Sequence, residues 1–232
     1  MGEPEHLRAT YNDVHNLIKN SASKIAEFKP DIFIAIGGGG FFPARVLRTF
    51  LKNPETKHNI PIYAIGLSLY EALPGTTEEH IGKEIVRTQW LGPESGKVLL
   101  GRRALIIDEI DDSRKTLQYA VEELRKDVER EVLFLPESER EAARTQFAIF
   151  VVHNKLKLKL GTIPPDVPCV SFLAILTLVK LFHGHWFNGI LFSAAPRYFA
   201  GAEVDDLWLD YPWEASDIEE HDRLAKAQNS EA

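Results

Sequence analysis

The chain has 232 residues, of which 44% are hydrophobic and 26% charged; this fits one globular domain with an extension and excludes global disorder, collagen and coiled coil. A formal charge of −7 argues against nucleic-acid binding, which needs a broad basic face. Residues 202–232 carry 10 acids against 2 bases, so the body of the chain is near neutral and a local anion site remains open. Cys169 is the only cysteine, which rules out an intrachain disulfide. The N-terminus lacks an apolar signal core, and His6 stands where a myristoylation site has Ser or Thr. The cytosol is therefore the expected compartment.

Residues 10–28 read as an amphipathic helix, with Val14, Leu17, Ile18, Ala22, Ile25 and Phe28 at helical spacing. Thr10 and Asp13 form a capping-box pattern, and Pro30 ends the helix. Ile32 to Ile36 is a short apolar run before Gly37-Gly38-Gly39-Gly40, as in a buried parallel strand. A helix is expected from Pro43 to Lys52 and a strand from Pro61 to Ser68. Residues 71–84 are polar, contain Pro and Gly, and read as a long mobile loop, with a returning strand from Glu84 to Trp90. A third buried strand runs from Arg103 to Asp108, and a helix from Arg114 to Lys126 buries Leu117, Ala120, Val121 and Leu124. Residues 127–145 read as a helical excursion, and Gln146 to His153 as a fourth strand. The alternation predicts an α/β fold with a mostly parallel, twisted sheet flanked by helices.

The segment from Leu105 to Leu117 is the most informative. A strand delivers Asp108, Glu109, Asp111 and Asp112 to the carboxyl end of the sheet, where open α/β folds bind ligands. The helix that follows offers free N–H groups and the positive end of its dipole to an anion, and Ser113 and Thr116 add hydroxyls. The neighbouring acids suit sugar hydroxyls or a Mg²⁺ shared with phosphates. A phosphorylated ribose carrying diphosphate uses all of these at once. The competing reading, that Asp112 or Ser113 merely caps the helix, needs one such residue and not four acids among five positions.

This segment resembles the phosphoribosyl-diphosphate motif of the type I phosphoribosyltransferases: an apolar strand, two acids, two further residues, then Asp-Thr/Ser-x-x-Thr. Many members have Gly at the place of Arg114, and the departure is similar to the yeast-type purine enzymes. Ile34 to Ala44 resembles the diphosphate loop of the family, with Gly38, Gly39 and Gly40 bringing backbone amides close to the ligand. Bacterial xanthine-guanine enzymes have a basic residue where Gly38 stands. Four glycines exceed the one that a tight turn requires. Leu67 to Glu71, including Ser68 and Tyr70, resembles the start of the flexible loop that closes over the reaction.

Asp206 to Glu214 resembles the small purine hood of the 6-oxopurine enzymes. That resemblance implies that Trp208 stacks on the base and that the backbone of Leu209 reads the purine 2-position. Trp213 is read as packing. Lys155 fits the lysine that donates to O6, against the alternative of one solvated lysine among Lys157 and Lys159, with His153 as the fallback. The resemblance spans residues 10–165 and 197–228. It implies Mg²⁺ at Asp108 and Glu109, phosphoribosyl diphosphate held by Asp108, Glu109 and Asp111 to Thr116 (Lys115 included), and Asp112 as general acid or base at purine N7. The implied product is IMP or GMP in purine salvage, in a homodimer with no nucleic-acid or membrane partner. Xanthine as the base, or a non-catalytic nucleotide-sensing regulator on the same fold, are the alternatives.

The chain divides into a core at 1–166, an apolar stretch at 167–196, and a hood with acidic tail at 197–232. Within residues 169–182, 11 of 14 residues are apolar, too short a run to span a bilayer. The stretch reads as an added buried element, as an exposed apolar patch, or, the preferred reading, as intron sequence read through. A transcript that encodes all of it would end the last reading.

Overall fold

The computed structural model describes residues 5–52, 58–72, 79–165, 167 and 197–231. The apolar stretch expected to be anomalous lies, from residue 168 to 196, outside the described residues, so the transcript test stands unaltered. Among the described residues no helix is long and apolar enough to cross a membrane.

The first helix, α1 (Tyr11–Phe28), begins at the capping box that the sequence announces. The Thr10 hydroxyl accepts the Asp13 N–H at 3.2 Å, and the Asp13 carboxylate accepts the Thr10 N–H at 2.9 Å. Lys29, in the left-handed region at φ 52°, closes the helix just before Pro30. The strand β2 (Ile32–Gly37) follows, then α2 (Phe41–Phe50), which starts two residues earlier than Pro43. The hairpin β3 (Ile62–Ala72) and β4 (Glu79–Gln89) comes next. After α3 (Ser95–Leu99), β5 (Arg103–Asp111) leads to α4 (Lys115–Val132), α5 (Glu137–Ala143) and β6 (Gln146–Lys155). The chain ends with β7 (Tyr198–Val204), β8 (Trp208–Asp210) and α6 (Ile218–Glu231).

Six strands form one sheet in the order β4-β3-β2-β5-β6-β7, parallel except for β4. Alternate side chains of β2 supply two cores. Ile32, Ile34 and Ile36 join Leu117, Ala120, Val121 and Leu124 of α4 on one face. Phe33 and Ala35 join Val14, Ile18, Ala22 and Ile25 of α1, with Ala44 and Leu47 of α2, on the other. From β2 the chain moves outward to β3 and then returns to place β5 on the opposite side, so the strand order reverses between β2 and β5. Such a reversal leaves a crevice at the carboxyl ends of the two strands.

The structure changes several expectations. Residues 71–84 are not one long loop: Glu71 pairs with His80 and Ala72 with Glu79 in an antiparallel hairpin, because strand pairing outweighs the polar composition. The strand β5 continues past Asp108 to Asp111, where Asp111 pairs with Asn154 of β6. Likewise α4 runs on from Lys126 to Val132, since Val128 and Val132 are buried in the core. The boundary at residue 197 is redrawn, because β7 pairs with β6 inside the main sheet. The hood begins beyond Val204 and is completed from the other end of the chain. An unforeseen three-residue strand, β1 (His6–Arg8), pairs in parallel with β8.

Candidate active site

Three strand ends meet at the carboxyl edge of the sheet. The Gly37–Gly40 turn leaves β2, the acids leave β5, and the lysines leave β6. Their side chains carry opposite charges, so the edge is a polar crevice above two apolar cores.

The glycine turn has internal and external duties. A β-carbon at Gly39 would overlap the Glu109 carboxylate, and one at Gly40 would collide with the backbone carbonyls of Ile36 and Ile107. A β-carbon at Gly37 would come within 2.6 Å of the Phe41 ring. Only Gly38 opens onto free space, with nothing within 4 Å of its would-be β-carbon. Only Gly40 is therefore closed off by backbone; Gly37 and Gly39 are crowded by the side chains of Phe41 and Glu109, and Gly38 has open space.

Asp108 and Glu109 leave β5 beside this turn, and the Glu109 carboxylate packs against Gly39. Asp108 is 7% exposed, and its side chain accepts the N–H of Glu109 at 3.0 Å. Burial, and then the adjacent Glu109 charge, push its carboxyl well above the ordinary carboxylate range. The buried Oε2 of Glu109 has no hydrogen-bond partner. Two hard oxygen donors side by side, one with an unpartnered oxygen, fit a divalent cation or a pair of sugar hydroxyls.

Asp111 turns the other way. Its carboxylate is fully buried and accepts Arg114 Nε at 2.9 Å and the Tyr198 hydroxyl at 2.6 Å, with Lys159 Nζ 3.5 Å from its other oxygen. Arg114 also lies over the Tyr198 ring, at 5.2 Å from its centroid. The structure thus places Asp111 and Arg114 against each other inside the protein. Arg114 has φ 70°, in the left-handed region that favours glycine. A glycine would adopt this conformation without the Cβ penalty that Arg114 carries.

Neither Asp112 nor Ser113 caps α4: the N-cap is Arg114, and no side-chain cap bond is made. Ser113 uses its carbonyl to accept the N–H groups of Leu160 and Gly161, both at 3.0 Å. The first amides of α4, with half-buried Lys115 and Thr116 beside them, have no partner within the helix. Unpaired amides at a helix start are the kind of group the sequence reading assigns to an anion.

Lys155 is the last residue of β6 and is only 7% exposed, so the solvated alternative does not hold. Its Nζ lies 3.7 Å from Asp112 and 3.7 Å from Asp206. The fallback, His153, is committed elsewhere. It is buried, its Nδ1 lies 2.9 Å from the Tyr211 hydroxyl, and burial lowers its pKa to about 4. Tyr211 in turn donates to the Glu109 carbonyl at 3.0 Å. One hydroxyl has one hydrogen, so His153 is the neutral tautomer that donates from Nδ1.

Sequence reasoning missed Lys157, Lys159 and Asp206. Lys157 Nζ lies 2.9 Å from Asp112 and 2.8 Å from Asp206. Its pKa is raised, first by the hydrogen bond to Asp206 and then by that to Asp112. Lys159 donates to the carbonyls of Asp111 and Asp112, at 2.5 and 3.0 Å, and burial lowers its pKa. The available signal was the cluster itself: Lys155, Lys157 and Lys159 follow one another closely at and just beyond the end of β6.

The segment expected to be the hood reaches this edge through Asp206, 2.8 Å from Lys157. Trp208 is 56% exposed at the start of β8, while Leu209 is buried in the second core. Trp213 stacks between Phe42 and Tyr211, at 5.2 and 4.7 Å between ring centroids, a packing role. Ser68 and Tyr70 lie on β3 opposite Val86 and Ile81, with a register shift between them, so the loop expected there is strand at these positions.

No family model matches the chain. It is 46% identical over 224 residues to the hypoxanthine-guanine phosphoribosyltransferase of Schizosaccharomyces pombe, covering 95% of this chain and 94% of that one. It is 42% identical over 235 residues to the xanthine phosphoribosyltransferase 1 of Saccharomyces cerevisiae, covering 98% and 99%. Among solved structures, a hypothetical protein from Neisseria gonorrhoeae with bound ppGpp matches with a TM-score of 0.65 at 34% identity, covering 98% and 99%. A purine phosphoribosyltransferase from Pyrococcus horikoshii shares the fold, with a TM-score of 0.54 at 20% identity over 92% and 97%.

Proposed function

The chain belongs to the hypoxanthine-guanine and xanthine phosphoribosyltransferases, and from that membership we propose that it transfers the 5-phosphoribosyl group of phosphoribosyl diphosphate to N9 of a 6-oxopurine, with hypoxanthine and guanine as its bases. The carrying observation is the crevice at the sheet's reversal point. There an under-satisfied acid pair, a glycine turn and an uncapped helix start lie beside an Asp112–lysine cluster under an exposed tryptophan.

The bond from C1 of the ribose to diphosphate breaks as the bond to purine N9 forms, through an oxocarbenium-like transition state. Catalysis is then mostly positioning and charge stabilisation. Residues 112–116 hold the 5′-phosphate on the first amides of α4. Gly38 admits the diphosphate to the backbone. Asp108 and Glu109 face the ribose hydroxyls and would hold Mg²⁺, which supplies charge neutralisation for the leaving diphosphate. Asp112 handles the proton at purine N7, Lys155 donates to O6, and Trp208 covers the base. A relative at 34% identity carries ppGpp, a guanine nucleotide, which accords with a purine-nucleotide site. A homodimer in the cytosol completes this reading.

The test is to incubate the protein with phosphoribosyl diphosphate, Mg²⁺ and, separately, hypoxanthine, guanine, xanthine or adenine, and to follow nucleotide by chromatography. IMP and GMP are expected. XMP as the main product would place the chain with its 42%-identical xanthine relative. Nucleotide from none would overturn the catalytic reading in favour of a sensor.

A further inference from the structure

Lys157 belongs to none of the roles above, yet it makes the shortest charged contacts at the mouth of the crevice. It touches Asp112 on the segment leaving β5 at 2.9 Å and Asp206 on the segment entering the hood at 2.8 Å. Lys155 reaches the same two carboxylates only at 3.7 Å, beyond hydrogen-bond range, so the two lysines are not equivalent. Lys159 bonds to backbone carbonyls of Asp111 and Asp112. The groups facing Asp112 are therefore Lys155 and Lys157 from the end of β6 and Lys159 beyond it, with Asp206 on the hood side of Lys157.

We propose that Lys157 is a positioning residue, a latch that ties the hood to the catalytic segment and so sets how Trp208 closes over a bound purine. This rests on the roles given above to Asp112 and Trp208. Without the ammonium between them, two carboxylates would face each other and repel. With it, Asp206 is drawn towards Asp112, and Asp206 lies two residues from Trp208. The side chains of Lys157 and Asp206 are 31% and 52% exposed, so the bridge is weak enough to open for substrate exchange. A latch of this kind also leaves Lys155, which makes no short contact with either carboxylate, free to turn to the base.

The test combines hydrogen–deuterium exchange with kinetics. In Lys157→Met, exchange of the peptide covering residues 205–210 should quicken and the purine KM should rise, each by about 3- to 5-fold. The KM for phosphoribosyl diphosphate should change less than the purine KM. Lys157→Arg should restore both readouts. Asp206→Asn should reproduce the Met variant, and the double variant should be no worse than either single one. Unchanged exchange in Lys157→Met overturns the latch, as does faster exchange with an unaltered purine KM, or additive effects in the double variant. If the wild-type protein forms no nucleotide from any base, the functional reading fails, and exchange and its rescue by Arg alone decide the latch.

Discussion

Asp111 and Arg114 form an ion pair at 2.8 Å in which the carboxylate is entirely buried, and this pair holds the backbone of the phosphate segment in place. The family resemblance counts both residues among those that hold substrate. The structure instead turns them inward and leaves the outward faces to Asp112, Ser113 and the amides of α4.

Arg114 therefore separates two energies that a single substitution can expose. Arg114→Gly relieves the left-handed backbone but loses the ion pair, whereas Arg114→Ala loses the pair and keeps the strain. The Gly variant should be more stable than the Ala variant by about 1 kcal/mol, measured by urea denaturation. Asp111→Ala should be worse than either, at roughly 3 kcal/mol, because it leaves Arg114 and Lys159 facing a buried void.

Asp112→Asn keeps the shape of the site and removes its proton acceptor. Turnover should fall far more than affinity for phosphoribosyl diphosphate, measured by steady-state kinetics beside direct binding. Equal losses in both would sink the acid–base role.

The glycine turn offers a graded series. Gly38→Ala meets open space, so it should fold normally and weaken phosphoribosyl-diphosphate binding. Gly39→Ala must displace the Glu109 carboxylate and should also lower the response to Mg²⁺. Gly40→Ala strikes two backbone carbonyls and should lose stability outright. Thermal melts with and without Mg²⁺ and phosphoribosyl diphosphate would rank the three.

His153 makes stability fall in mild acid. An unfolded histidine takes up a proton near 6.5, but this buried one does so only at about 4. Between those values the unfolded chain binds more protons, so stability decreases as pH decreases, by about 3 kcal/mol by the lower end. Urea midpoints measured from pH 7 to 5 should fall for the wild type and fall less for His153→Gln.

Much of this protein was legible in its sequence. The capping box of α1, the apolar runs of β2 and β5, and the acid cluster at the end of β5 are local patterns whose periods and charges determine them. Lys155 and Trp208 were singled out by resemblance. Other features depended on the register between distant strands. Tertiary structure turned Asp111 and Arg114 inward, because Tyr198 arrives from β7 to meet them. It paired β1 with β8, two three-residue strands too short to announce themselves. It also placed Lys157 between Asp112 and Asp206, a contact between residues that no local spacing connects. Local chemistry selected the ligand class, while packing across the sheet decided which charged groups are left free to meet the ligand.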